Sequence, residues 1–99
     1  MTIIKKQDGA ALDVALEGRL DTTTSPQLEN ELRTALNGIS EFVLDLNNLD
    51  YISSAGLRVL LSAQKVMNKQ GKMVIRNVKP EIMEIFEVTG FVDILTIEE

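Results

Sequence analysis

Ser53, Ser54 and Gly56 stand together in Tyr51-Ile52-Ser53-Ser54-Ala55-Gly56-Leu57-Arg58, just after the strand-like run Phe42-Val43-Leu44-Asp45-Leu46. The pattern predicts a helix that opens at the serines. The unpaired N–H groups of a helix's first turn carry partial positive charge. A hydroxyl placed there either caps the helix or, once phosphorylated, sets a dianion against those N–H groups. Glycine early in a helix costs about 1 kcal/mol relative to alanine. Lacking a side chain, it also lets another surface approach closely. Taken alone, these residues read most simply as an N-cap serine followed by a packing glycine. The string around them widens the choice.

The elements that must hold this tip follow from apolar spacing. Thr2 to Lys6 and Leu12 to Glu17 read as strands joined near Asp8-Gly9, a hairpin-type dipeptide. In the second, Leu12, Val14 and Leu16 alternate with Asp13, Ala15 and Glu17, so one face is buried. Gly18 to Thr24 reads as an oxygen-rich loop, and Ser25-Pro26 as an N-cap followed by the first helical residue. That helix carries Leu28, Leu32, Ala35 and Leu36 on one stripe, and Asn37-Gly38 ends it. Glu41 to Leu46 is a buried strand. A second helix runs from about Ser54 to Gln70 and stops at Gly71, with Val59, Leu60, Ala63, Val66 and Met67 inward and Arg58, Ser62, Lys65 and Lys69 outward. Lys72 to Arg76 is a strand, and Lys79-Pro80-Glu81 starts a third helix with Ile82, Ile85 and Phe86 inward. Gly90 suits its left-handed close, Phe91 is placed to pack back on Phe86, and Phe91 to Ile97 contains the last strand. The order β-β-α-β-α-β-α-β favours right-handed crossovers between parallel strands after an antiparallel opening hairpin, hence an α/β fold with a mixed sheet under helical cover.

Composition removes several kinds of chemistry. The 99 residues suit one domain, residues 1–99, and the apolar fraction of 44% with 25% charged residues is that of an ordinary globular chain. There is no histidine and no cysteine. Serine–histidine and cysteine–histidine nucleophile pairs, disulfides and the usual zinc ligands are therefore impossible. A net charge of −5 and four aromatic residues argue against nucleic acid as a partner. No phosphate-cradling glycine loop is present. No apolar run approaches the ~20 residues of a membrane span, and Met1 to Lys6 does not read as a signal peptide, so a cytoplasmic protein without membrane contact is expected. The balance points to a binding module with no cofactor rather than an enzyme.

The longer string Leu44-Asp45-Leu46-Asn47-Asn48-Leu49-Asp50-Tyr51-Ile52-Ser53-Ser54-Ala55-Gly56-Leu57-Arg58-Val59-Leu60-Leu61 closely resembles the signature of STAS domains of the anti-sigma factor antagonist type. Leu16-Glu17-Gly18-Arg19-Leu20-Asp21-Thr22 is similar to the family's second marker, and Phe86-Glu87-Val88-Thr89-Gly90-Phe91 to the short helix and glycine before its last strand. The resemblance spans essentially the whole chain and implies a single STAS domain with helices mainly on one side of the sheet.

The resemblance also implies a switch. Aligned on Gly56-Leu57, Ser54 takes the family's phosphoacceptor position. Ser53 stands where an aspartate is usual, and either caps the helix in its place or competes as acceptor. The implied partners are an anti-sigma factor with serine kinase activity and a metal-dependent serine phosphatase that resets the switch. Asp21, Thr22, Thr23, Asp50, Ser53, Ser54, Gly56, Leu57 and Arg58 are the candidate docking residues. Asp21, Thr22 and Thr23 also read as a hydrogen-bonded turn, and Arg58 as a solvated charge. If Gly56 is bare for the partner's sake, Gly56→Ala should weaken docking while the melting midpoint holds or rises. The departure at Ser53 keeps open a second reading, a STAS scaffold or transporter-associated regulatory subunit that is never phosphorylated. A phospho-aspartate receiver centred on Asp45 lacks its acidic pair and lysine, and a nucleotide hydrolase lacks its phosphate loop.

Overall fold

Ala15 and Glu17 mark the point where one strand bends to follow its neighbour, and that bend carries the chain to the candidate tip. The computed structural model describes residues 1–98. Strands β1 (Thr2–Asp8), β2 (Ala11–Leu20), β3 (Glu41–Ile52), β4 (Lys72–Arg76) and β5 (Ile97–Glu98) lie in the order β1-β2-β3-β4-β5. β1 is antiparallel to β2, and each later pair is parallel. Helices α1 (Ser25–Ala35), α2 (Ser54–Gln70) and α3 (Pro80–Thr89) make the three crossovers. Because every crossover moves to the next strand in the same direction, the right-handed rule puts all three on one face. That face buries Leu12, Val14 and Leu16 of β2, Phe42, Leu44 and Leu46 of β3, and Met73 and Ile75 of β4. Their alternating partners on the opposite face, among them Asp13, Ala15, Val43 and Val74, have no helix above them and stay partly or fully exposed.

Four expectations need correction. β2 and β3 do not stop at Glu17 and Leu46 but run on to Leu20 and Ile52. Register shifts between Ala15 and Glu17 and between Gly18 and Arg19 keep them paired, through Glu17↔Asn48, Gly18↔Leu49, Arg19↔Tyr51 and Leu20↔Ile52. Gly18, at φ 101°, adopts a backbone open to glycine in the middle of this irregular stretch. Burial of Leu20, Leu49 and Ile52 explains why the ladder continues beyond a run that looks polar. Ser25 is not the N-cap of α1; Thr24 holds that position, and Ser25 is the buried first helical residue whose hydroxyl donates to the Asp21 carbonyl. Val66, expected inward on α2, is exposed. The stretch Phe91–Asp93 is a short 3-10 turn rather than strand, and among the described residues β5 is Ile97–Glu98. Gly90 closes α3 in the left-handed region at φ 80°, and Leu95 N–H then bonds to the Phe91 carbonyl at 2.8 Å. That turn returns Phe91 to the edge of the core cluster that contains Phe86.

Candidate functional site

β2 and β3 deliver their C-terminal ends side by side, and α1 and α2 start from those ends. Ser53 caps α2: its backbone is extended (φ −98°, ψ 175°) and its Oγ accepts the Gly56 N–H at 3.3 Å. The Ser53 carbonyl accepts the Leu57 N–H at 2.9 Å. The Leu57 bond is the first of the helical ladder; of the four N–H groups before it, those of Ser54 and Ala55 have no acceptor within the helix. The Ser53 N–H in turn donates to the Leu20 carbonyl at 2.9 Å, which ties the helix start to the end of β2. The Ser54 side chain, next in line, is exposed.

Gly56 is buried, and the surface that approaches it belongs to the chain itself. A Cβ there would lie 2.8 Å from Leu20 Cγ, 2.9 Å from Ile52 Cγ1 and 3.0 Å from the Leu20 carbonyl oxygen. Leu20 and Ile52 are themselves buried, so neither can swing away. Gly56 therefore lets α2 sit down on the β2 and β3 ends. This overturns the expectation that it is bare for a partner and that Gly56→Ala would hold or raise the midpoint. Leu57 is likewise a core residue, 6% exposed, and its side chain offers no docking surface.

The loop before α1 is a network centred on Asp21. Its Oδ1 accepts the N–H groups of Thr23 at 3.0 Å and Thr24 at 3.1 Å, together with the Thr24 hydroxyl. The single Thr24 hydroxyl proton is shared between that carboxylate at 3.2 Å and the Arg19 carbonyl at 2.7 Å. The Thr24 N–H above all, then that of Thr23, the Thr24 hydroxyl and the Arg19 charge, hold the Asp21 carboxyl below its ordinary value against an opposing desolvation. Asp21 thus builds the loop that presents the exposed side chains of Thr22 and Thr23.

Arg58 is exposed one turn into α2. With Thr22, Pro26, Glu29 and Ala55 it lines a shallow groove of about 200 Å³ between the starts of α1 and α2. Pro26 and Glu29 escaped the sequence reading, although the outward positions of the first turns of α1 pointed to them. Asp50 lies elsewhere: its Oδ1 accepts from Lys79 Nζ at 2.7 Å, pinning the start of α3 to β3. Arg19, also unanticipated, stacks its guanidinium 4.2 Å from the Tyr51 ring centre on adjoining strands. Thr22, Thr23, Ser54 and Arg58 therefore share the exposed tip, Asp21 and Ser53 support it from below, and Gly56 and Leu57 belong to the core. Among the described residues no cluster of acidic side chains is arranged to hold a metal ion, and no helix is long and apolar enough to cross a membrane.

Residues 2–99 match the family model described as the STAS domain. The chain is 43% identical over 94 residues to BtrV of Bordetella bronchiseptica, a protein provisionally named an anti-sigma factor antagonist, covering 93% of this chain and 80% of that one. It is 32% identical over 89 residues to the anti-sigma-B factor antagonist of Staphylococcus aureus, covering 88% and 82%. Its backbone superposes on the unphosphorylated anti-sigma factor antagonist SpoIIAA with a TM-score of 0.77 at 15% identity, covering 99% and 88%. The phosphorylated form of that Bacillus protein superposes with 0.76 at 16%, covering 99% and 92%. The chain belongs to the STAS domain family and is of the anti-sigma factor antagonist type. Proteins of this type are regulatory binding proteins, not enzymes.

Proposed function

We propose that this antagonist docks on an anti-sigma factor through the tip formed by Thr22, Thr23, Ser54 and Arg58, and is released when Ser54 is phosphorylated. The carrying observation is a division of labour between adjacent serines. Ser53 commits its oxygen to the helix cap, whereas Ser54 presents an exposed hydroxyl at the first helical position. This favours Ser54 over Ser53 as acceptor. Ser53 also performs the capping that the family's usual aspartate would, so its presence does not argue against the switch. The kinase is the anti-sigma factor itself, and a metal-dependent serine phosphatase restores the hydroxyl. Solved phosphorylated and unphosphorylated forms of SpoIIAA support the reading by analogy.

Phosphate at this point meets the open N–H groups of the first turn, so the fold tolerates it. The penalty falls on the docked complex, where nearly two added charges must be desolvated against a surface fitted to a hydroxyl. Incubation with the cognate kinase and ATP should place one phosphate on Ser54, read by phosphopeptide mapping; modification confined to Ser53, or to neither serine, defeats the assignment. Ser54→Asp should shift the melting midpoint little yet weaken binding of the anti-sigma factor by about 1–3 kcal/mol in calorimetric titration. Normal binding by that variant would count against the mechanism. Ser54→Ala should bind and resist release.

A further inference from the structure

Gln64 lies ten residues along α2 from Ser54, about 15 Å at the helical rise, and it is 5% exposed. Its Nε2 donates to Asn68 Oδ1 at 2.8 Å, but its Oε1 has no hydrogen-bond partner among the described residues. A buried carbonyl oxygen without a donor is uncommon and costly in a native fold. Gln64 lines a pocket of about 400 Å³ together with Asn68, Lys72, Met73 and Thr96. The pocket lies along the side of β4 that faces β5.

That side of the sheet is incomplete. Among the described residues β5 pairs with Ile75 and Arg76, and the Ile75 N–H donates to the Thr96 carbonyl at 2.8 Å. Main-chain groups of a parallel strand turn alternately to its two neighbours. The Lys72 N–H donates to the Ser40 carbonyl on the β3 side, so Met73, like Ile75, turns its N–H and C=O toward the β5 side. Beside Met73 that place holds no strand among the described residues, because the chain reaches Ile75 from the 3-10 turn instead of running along β4.

We infer that this pocket is a second docking site, and that it takes an extended peptide segment of a partner protein as an added strand beside Met73. A peptide main chain carries a donor and an acceptor at the spacing that Met73 requires, and a further N–H or amide donor on the same segment satisfies Gln64 Oε1. A single water can serve Gln64 but cannot extend the ladder. The site lies apart from the Ser54 tip, so its occupancy is independent of the phosphorylation state and of the function proposed above.

A random dodecapeptide library displayed on phage, selected on the full chain, tests this. Selected peptides, synthesised and titrated into the 15N-labelled chain, should shift the Met73 amide and slow its hydrogen exchange. They should bind Gln64→Met at least tenfold more weakly and Ser54→Asp equally well. Gln64→Met itself, which replaces the orphan amide by a similar apolar volume, should melt at or above the native temperature. Equal affinity for Gln64→Met, or a selection yielding no peptide that protects Met73, would overturn the inference. So would a drop in the melting temperature of Gln64→Met, which would mark Gln64 as satisfied by a structural water. Exchange at Met73 is measured on the unaltered chain, so the test does not depend on that variant folding.

Discussion

The two ends of α2 both carry a glycine, but they differ in whether the polar groups beside it are used up by the fold. At the C-terminal end, the Gly71 N–H donates to the Met67 carbonyl at 2.7 Å, and a Cβ on Gly71 would lie 1.9 Å from the Ser40 carbonyl oxygen. Gln70 Nε2 reaches across to the carbonyls of Leu36 and Ile39 at 2.6 and 2.7 Å, supplying donors to the turn that follows α1. Every polar group named there is absorbed by the fold. At the N-terminal end, Gly56 and Ser53 do comparable work against Leu20, but Ser54 and its N–H project clear of it. A glycine close to a functional serine therefore need not share its function: at both ends the glycine brings two elements together.

The largest effect should come from the C-terminal end, where Gly71 meets main chain. Gly71→Ala drives a methyl into main chain rather than into a flexible side chain, so it should cost about 3 kcal/mol or more, read from the chemical denaturation midpoint. Tolerance there would show that α2 can slide along its axis, and the contrast between the ends would collapse. Gly56→Ala should cost about 1–3 kcal/mol after the gain in helix propensity is deducted. A raised midpoint would restore the view that this glycine is open to a partner. Ser53→Ala removes a long cap bond and should cost about 0.5–1 kcal/mol, with Ser53→Asp recovering most of it.

A smaller effect is expected at acid pH. The folded protein holds the Asp21 carboxyl below its ordinary value, so the carboxylate is favoured in the folded state. Its contribution is fully present above the unfolded value of about 3.9 and is lost as pH falls through the lower folded value. Asp21→Asn should therefore differ from the native chain least at the acid end, and carboxyl titration by NMR should place Asp21 below the ordinary aspartate value.

The order of elements, the helix start at the serines and the stop at Gly71 were legible because they rest on local signals: apolar period, capping oxygens and glycine. The ends of β2 and β3 were not. Asn47-Asn48 and Gly18-Arg19 look like loop until each strand supplies the other with a partner, and such pairing lies outside any short window of sequence. The same holds for Gly56, whose neighbour Leu20 is distant in the chain, and for Ser25, whose hydroxyl faces back to Asp21 rather than forward into its helix. At the tip itself, residue type marked the candidate acceptor serines, while exposure separated Ser54 from Leu57 and Gly56.

The cap beneath Ser54 has a consequence for timing. Under the switch proposed above, a phosphate on Ser54 would add charge to a tip that Ser53, Leu20 and Asp21 already brace, with no segment to order, melt or swing. Such a molecule has no internal clock. How quickly it passes a signal would then be set by the enzymes proposed to write and erase the mark and by how long the docked partner stays.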